Sequence, residues 1–480
     1  MKLYPRVILA IVVAWLPMFC TGQDSNPQNP PTQNASVPES NPDRATPAPA
    51  MTGLLGVDTE TTEEDNSAPP QIPAVLGGRA LSLSFTPELE RSNFLRGGLN
   101  FGVGYDDNAL LVPTGEIGNI TYSIFPSIAI DQRRPRMSWN LDYGAGVTIN
   151  QRLSDRNQGA HNLDFESLFR LSPHVNLRVA QNVSITTGIF GAGDTTSVPS
   201  STSGQNTSII SPLANERWFS TVAELDYHFA LNDVVGGTGT FYDLHYRDVP
   251  QGAGSLVDSR TASAGAFWLH RVLRRDWAGM TYRFQRLTYD PNGETLVHSV
   301  TFVNTLGIRN RFSFTGFIGP EYNDNRPGSA TSGTQPARFT DWSVSGGVEG
   351  GWTSVRTSFT AGYGRRINDG GGLMGAVHEQ NVHVNFRREF HPGWSANLGA
   401  NYGNNDSIAG PVTGNPASIN TTTLGASIER NVGKSFGLQA GYFHDFQSQS
   451  GSTTANQNYD AHRNRFLVTL SYQWAKALGR

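Results

Sequence analysis

Cysteine is almost missing from this chain. Cys20 is its only one, so no disulfide can form within it. Lysine is scarce as well, 3 residues against 33 arginines, and charged residues make up only 16%, below the roughly 25% usual for soluble domains. With a net charge of −4 and a pI near 6.3, there is no basic field for nucleic acid, and nucleic acid is excluded as a partner. Beyond the N-terminus no run approaches the roughly 20 apolar residues of a membrane-spanning helix. A chain like this can enter a bilayer only as strands.

The one long apolar run opens the chain. In "MKLYPRVILAIVVAWLPMFCTGQ" two basic residues, Lys2 and Arg6, precede an apolar stretch from Val7 to Phe19 and then small residues. This is the pattern of a secretory signal peptide over 1–22. Phe19 is bulky where a lipoprotein signal needs a small residue, so cleavage after Gly22 is expected ahead of lipidation at Cys20. Residues 23–80 are rich in Pro, Ser, Thr and Asn, and such a composition buries too little apolar surface to offset its conformational entropy. They are read as a disordered periplasmic leader, and 81–480 as the folded unit.

What the chain has in abundance is glycine, 52 residues, and alternation. In "RMSWNLDYGAGVTIN", 136–150, Met137, Trp139, Leu141, Tyr143, Ala145, Val147 and Ile149 fall on one face of a strand, with Ser138, Asn140, Asp142 and Thr148 on the other. "NITYSIFPSIAI", "GWSANLGANYG" and "RFLVTLSYQW" follow the same rule. Eighteen such segments are centred near 101, 125, 143, 165, 179, 223, 240, 265, 282, 302, 315, 345, 359, 383, 398, 425, 440 and 469. Long polar stretches at 106–118, 188–214, 323–338, 404–417 and 447–460 follow odd-numbered strands, whereas short turns such as "SPH" and "LND" follow even ones. Long loops on one side and short turns on the other predict an all-β fold: a transmembrane antiparallel up-and-down β-barrel of about eighteen strands, range sixteen to twenty, with periplasmic turns and extracellular loops. A soluble propeller would need a blade motif recurring every 40 to 50 residues, and none is present. The expected location is the bacterial outer membrane, with lipid and lipopolysaccharide as partners and the C-terminal strand as the signal to the barrel-assembly machinery.

Three strand tips share a pattern: "FGVGYDDNALL" at 101–111, "FIGPEYNDN" at 317–325 and "LGANYGNND" at 398–406. Tyr105, Tyr322 and Tyr402 are expected at the outer interface, with Asp106, Asp107, Asn108, Asp324 and Asn325 leaving the membrane and starting turns by bonding their own backbone. An oxygen-ligand cation site is the alternative, but no tip has the Asp-x-Asp-x-Asp-Gly loop with its distant Glu. The eleven histidines are scattered, and His378 and His383, five apart, face opposite sides of a strand. His161 and His245 lie near the rim with acidic neighbours. No nucleophile, base and orienter can be grouped, so no catalytic residue, metal or cofactor is assigned and an enzyme is not expected. Candidate lumen-facing residues are Asn140, Asp142, Arg283, Arg356, Asn397 and Asn401; inward arginines would hold carboxylates or phosphates.

"GYDDNALL" after the first strand resembles the start of a porin-like outer-membrane β-barrel family, the beta-barrel porin 2 type, found beside exopolysaccharide-biosynthesis genes. The resemblance spans roughly 97–474 and implies passage or export across the outer membrane, with exopolysaccharide-export components as partners. From the residues, the leading expectation is a channel for small hydrophilic solutes, with the 188–214 loop long enough to fold in as a constriction. The alternatives are a surface-interaction barrel with a filled lumen, recognising through 323–338 and 447–460, and behind it a hydrolase at the rim.

Overall fold

A strand with one apolar and one polar face needs a neighbour on each edge, and in this chain each strand pairs with its neighbours in sequence while the first and last strands pair with each other. The computed structural model describes residues 93–134, 136–187, 209–210, 215–247, 256–273, 275–289, 293–308, 311–326, 338–408, 418–433, 435–451 and 459–478. These belong to the unit Ala48–Arg480. The signal peptide and leader expected over 1–80 lie outside them, as does 81–92. The first strands are β1 (Phe94–Asp106), β2 (Asn119–Arg134), β3 (Met137–Asn150), β4 (Gln158–Ser172), β5 (Val175–Thr187) and β6 (Asn215–Ala230). Next come β7 (Asp233–Arg247), β8 (Ser259–Leu273), β9 (Asp276–Tyr289), β10 (Gly293–Ile308), β11 (Phe312–Arg326) and β12 (Phe339–Ser354). The last are β13 (Thr357–Gly370), β14 (Met374–His391), β15 (Trp394–Ser407), β16 (Ser418–Val432), β17 (Phe436–Ser450) and β18 (Tyr459–Ala477).

All eighteen expected centres fall inside these strands. Every pairing is antiparallel, and β1 is hydrogen-bonded to both β2 and β18, so the sheet closes on itself. Closure removes the free edges that a bilayer cannot tolerate. At about 4.8 Å between strands and a tilt near 40°, eighteen strands form a ring roughly 36 Å across, backbone to backbone. Connections after even-numbered strands have two or three residues, while those after odd-numbered strands run from three residues to the 27 of 188–214.

Alternation in sequence becomes two opposed surfaces. Outward-facing Phe101, Val103, Tyr105, Tyr122, Ile124, Ile128 and Val147 all stand more than 40% exposed, which suits hydrocarbon. Tyr322 and Trp342 stand near the long-loop ends of their strands; Trp268, Trp394, Phe436, Tyr472 and Trp474 stand toward the short-turn ends. Such aromatic girdles sit where a membrane meets water. Inward-facing positions of the same strands carry Asn100, Ser123, Asp142 and Thr148, all buried within the ring.

Candidate functional site

The interior wall is polar because each inward position alternates with an outward apolar one, and directly paired residues share a face. Its charges are largely neutralised across strands. Asp445 takes Arg463 and Arg465, each at 2.9 Å, with all three side chains less than 10% exposed. Glu429 takes Arg387 at 3.2 Å and the Ser395 hydroxyl at 2.9 Å. Glu166 holds Arg178 at 2.8 Å, and Asp131 pairs with Arg96. An ion pair in such a place contributes little net stability but is costly to break by halves, about 3–5 kcal/mol.

The outer mouth departs from a simple barrel. Pairing between β12 and β13 stops at Gly346↔Arg365. Above that point Phe339–Ser345 of β12 pairs with β11, and Arg366–Gly370 of β13 pairs with β14. β14 in turn joins β15 from Val377↔Ser407. The tip of the β13–β14 hairpin is thereby released from the wall. Ile367 through Met374 are eight consecutive buried residues at a height where a rim turn would be exposed.

What they touch shows that the tip turns inward. The Ile367 N–H, with no β12 partner at this height, donates to Oε1 of inward-facing Glu321 on β11 at 3.1 Å. Glu321 lies 3.7 Å from Arg283, and at the hairpin base Glu379 accepts from Arg366 at 3.1 Å and Asn368 at 3.0 Å. Farther out, the Gly371 carbonyl accepts from the Tyr246 hydroxyl at 3.2 Å, Asp369 from the Ser259 hydroxyl at 3.2 Å, and the Gly372 carbonyl from the Val257 N–H at 2.6 Å. Gly372 has φ +83°, and a Cβ there would lie 2.4 Å from the Tyr246 ring. Only glycine serves at that position.

Apolar contacts complete the seating. Ile367 packs with Leu287, Val297 and Ala376. Leu373, Met374 and Val377 pack with Ile419 and with Ile209, which belongs to the 188–214 connection. Ile210 hydrogen-bonds Gln447 of β17 and packs on Leu111 and Ala461. The β1–β2 connection enters from the other side: Ala109 packs against Phe125 and Ala160, with Leu110, Leu153 and Leu467 alongside. Apolar groups cluster here because each has left the lipid face and must bury itself against the others.

The sequence-selected residues take these places. Asn140 and Asp142 face the lumen on β3, Asn140 donating to Asp131 at 2.5 Å. Arg283 faces it beside Glu321, as do Asn397 and Asn401 on β15. Arg356 does not: it is exposed in the two-residue turn between β12 and β13. The polar alternation of "TSVRTS" continues through the chain reversal, which is why it reads as strand interior. Tyr105 and Tyr402 stand outward, each 46% exposed, and Tyr322 is wedged between His298 and Trp342.

The three tips are unlike one another. After β1 the side chains do bond local backbone. Asp106 accepts from the Asn108 N–H at 3.0 Å, Asn108 bridges Val112 and the His462 carbonyl, and Asp107 holds both the backbone and side-chain N–H of Asn464 at 2.6 Å. This stitches β1 to β18 and aims Ala109–Leu111 inward. At 323–325 and 404–406 the expected turns are absent, because the facing strands are as long and the ladder continues through Asn325↔Phe339 and Asp406↔Ser418. With the backbone engaged, the side chains bond across strands. Asp324 grips Arg338 just before the facing strand as well as Arg326 on its own, Asn325 accepts from Thr295 at 2.9 Å, and Asn404 donates to Asn420 at 2.8 Å. The loops accordingly start at 327, 408 and 451 rather than at 323, 404 and 447.

Among the described residues no three His, Cys, Asp or Glu gather as a metal site. His378 and His383 occupy opposite faces of β14. His245 pairs with Asp258, while the ring partner of His161 is the Tyr143 hydroxyl at 3.0 Å rather than an acid.

No family model matches the chain, and no curated protein matches it in sequence. Solved structures resemble it in architecture. The outer membrane protein opdK of Pseudomonas aeruginosa aligns over 79% of this chain and 99% of its own, at 10% identity and a TM-score of 0.41. OccAB4 of Acinetobacter baumannii aligns over 82% and 100%, at 10% identity and 0.43. OpdQ of Pseudomonas aeruginosa aligns over 80% and 99%, at 9% identity and 0.42. Identity this low transfers no residue role. By its closed ring and apolar exterior, the chain is a multi-pass β-barrel of the outer membrane.

Proposed function

We propose that the protein is a porin-like channel for small hydrophilic solutes whose outer mouth is narrowed by the inward β13–β14 hairpin. One observation carries the reading: an eighteen-stranded ring with a polar inner wall. A ring of that size encloses more space than its own side chains fill, and its inward Asn, Ser, Thr and ion pairs suit water rather than a dry core. The hairpin then controls how wide the route is.

A second reading, a surface-interaction barrel with a filled lumen, is favoured by the same hairpin, since its tip and Ile209, Ile210 and Ala109–Leu111 all crowd the mouth. Swelling of proteoliposomes in sugars of graded size separates the two. A channel admits monosaccharides and slows with increasing sugar size; a filled barrel admits none. Association with exopolysaccharide export is the finer form of the channel proposal, and co-purification with export components tests it.

A further inference from the structure

Beneath the hairpin tip the mouth contains a buried carboxylate that no neighbour neutralises. Glu216 is the second residue of β6, faces inward opposite Tyr246, and is 5% exposed. Among the described residues its carboxylate makes no hydrogen bond and no ion pair. Burying an uncompensated charge is expensive, and the buried inward carboxylates of Asp445, Glu429, Glu321 and Glu379 each have an arginine or a hydrogen-bond donor. Arg217, next in the chain, belongs to the opposite face of the strand and is exposed.

The surroundings of Glu216 suit a cation. Tyr246 is paired directly opposite it on β7, Tyr242 shares that inward face four residues earlier, paired with Ser220, and Trp218, between Glu216 and Ser220 on β6, lies 6.4 Å from Tyr242, centroid to centroid. Tyr242 is 1% exposed and its hydroxyl has no hydrogen-bond partner. Asp369, two residues before the Gly371 carbonyl that Tyr246 holds, brings a second carboxylate to this stretch of β7, where it accepts from Ser259, the residue paired with Leu244. Carboxylate for charge, aromatic faces for cation–π attraction and a spare hydroxyl to accept an N–H are the chemistry of ammonium recognition.

We infer that Glu216, with Tyr242, Tyr246 and Asp369, forms a binding site for the ammonium group of a small amine-bearing solute at the outer mouth. The inference rests on the channel reading for the route of that solute, but the site itself stands apart from it. Because Asp369 belongs to the hairpin, an ammonium group held there would bridge the wall and the hairpin tip.

The test uses the full chain in detergent micelles, with methylammonium as probe and glycerol as neutral control, read by saturation-transfer NMR. Methylammonium is expected to bind and glycerol not. Glu216→Gln should weaken binding at least tenfold and Tyr242→Phe several-fold, with heat-modifiable gel migration verifying that each variant is folded. Equal affinity in wild type and both folded variants would overturn the inference, as would no binding, or binding of glycerol alone. Should Glu216→Gln not fold, the Tyr242→Phe result decides. Proteoliposome swelling on the same preparation keeps the outcomes apart: swelling without methylammonium binding defeats the site and leaves the channel, and binding without swelling does the reverse.

Discussion

Replacing Ile367 with alanine should loosen the hairpin without harming the barrel. Ile367 is fully buried against Leu287, Val297 and Ala376, yet β13 has already left β12 at that height, so the lost packing belongs to the seated tip and not to the wall. Truncating a buried isoleucine costs about 2–5 kcal/mol. At 1.4 kcal/mol per tenfold, the odds of an unseated hairpin rise roughly thirty-fold to several-thousand-fold. Single-channel recording in planar bilayers reads this as a higher ratio of high- to low-conductance dwell time. Leu398→Ala, on the lipid face at 53% exposure, is the matched control and should leave the ratio alone. An unchanged ratio in a folded Ile367→Ala barrel would refute the claim that the seated hairpin limits passage.

Three further outcomes are expected. Gly372→Ala forces a side chain into the Tyr246 ring at φ +83°; left-handed backbone alone costs about 1–2 kcal/mol, and the dwell ratio should shift as for Ile367→Ala while the denaturant midpoint in lipid vesicles stays put. Asp445→Asn strands Arg463 and Arg465 inside the ring, so unfolding in guanidinium should report a loss of about 3–5 kcal/mol; a loss below 1 kcal/mol would mean that water already screens the cluster. Asn108→Ala removes three hydrogen bonds that hold the β1–β2 connection, each worth about 1 kcal/mol. Amide exchange at Ala109–Leu111 should then speed up about a hundredfold, and unaltered exchange would show that packing on Phe125 and Ala160 suffices.

The barrel was legible because lipid outside and water inside impose a period of two on every strand, and because loop length differs between the two membrane sides. Both signals are local and survive in a single sequence. Arg356 was misplaced for the converse reason: a two-residue turn interrupts the alternation too briefly to show. The tips at 323–325 and 404–406 were read as turns from their Asn and Asp content, but strand length is set by the facing strand, which a residue cannot report about itself. The hairpin at the mouth left one readable trace. "INDGGGLMGAV" sets Ile367, Leu373, Met374 and Val377 among four glycines at a rim that should be polar. Apolar residues at an extracellular turn need something to bury them, and here it is the barrel's own interior.

The most direct test is to remove the hairpin tip. Deleting residues 368–375 and rejoining the strands through an Asn-Gly turn leaves the β12–β13 ladder up to Arg365 and the β14–β15 ladder from Val377 in place. In planar bilayers this variant should show larger and more persistent single-channel steps than the full chain. If both remain silent at every voltage while migrating as folded barrels, the lumen is filled below the hairpin and the protein is not a channel.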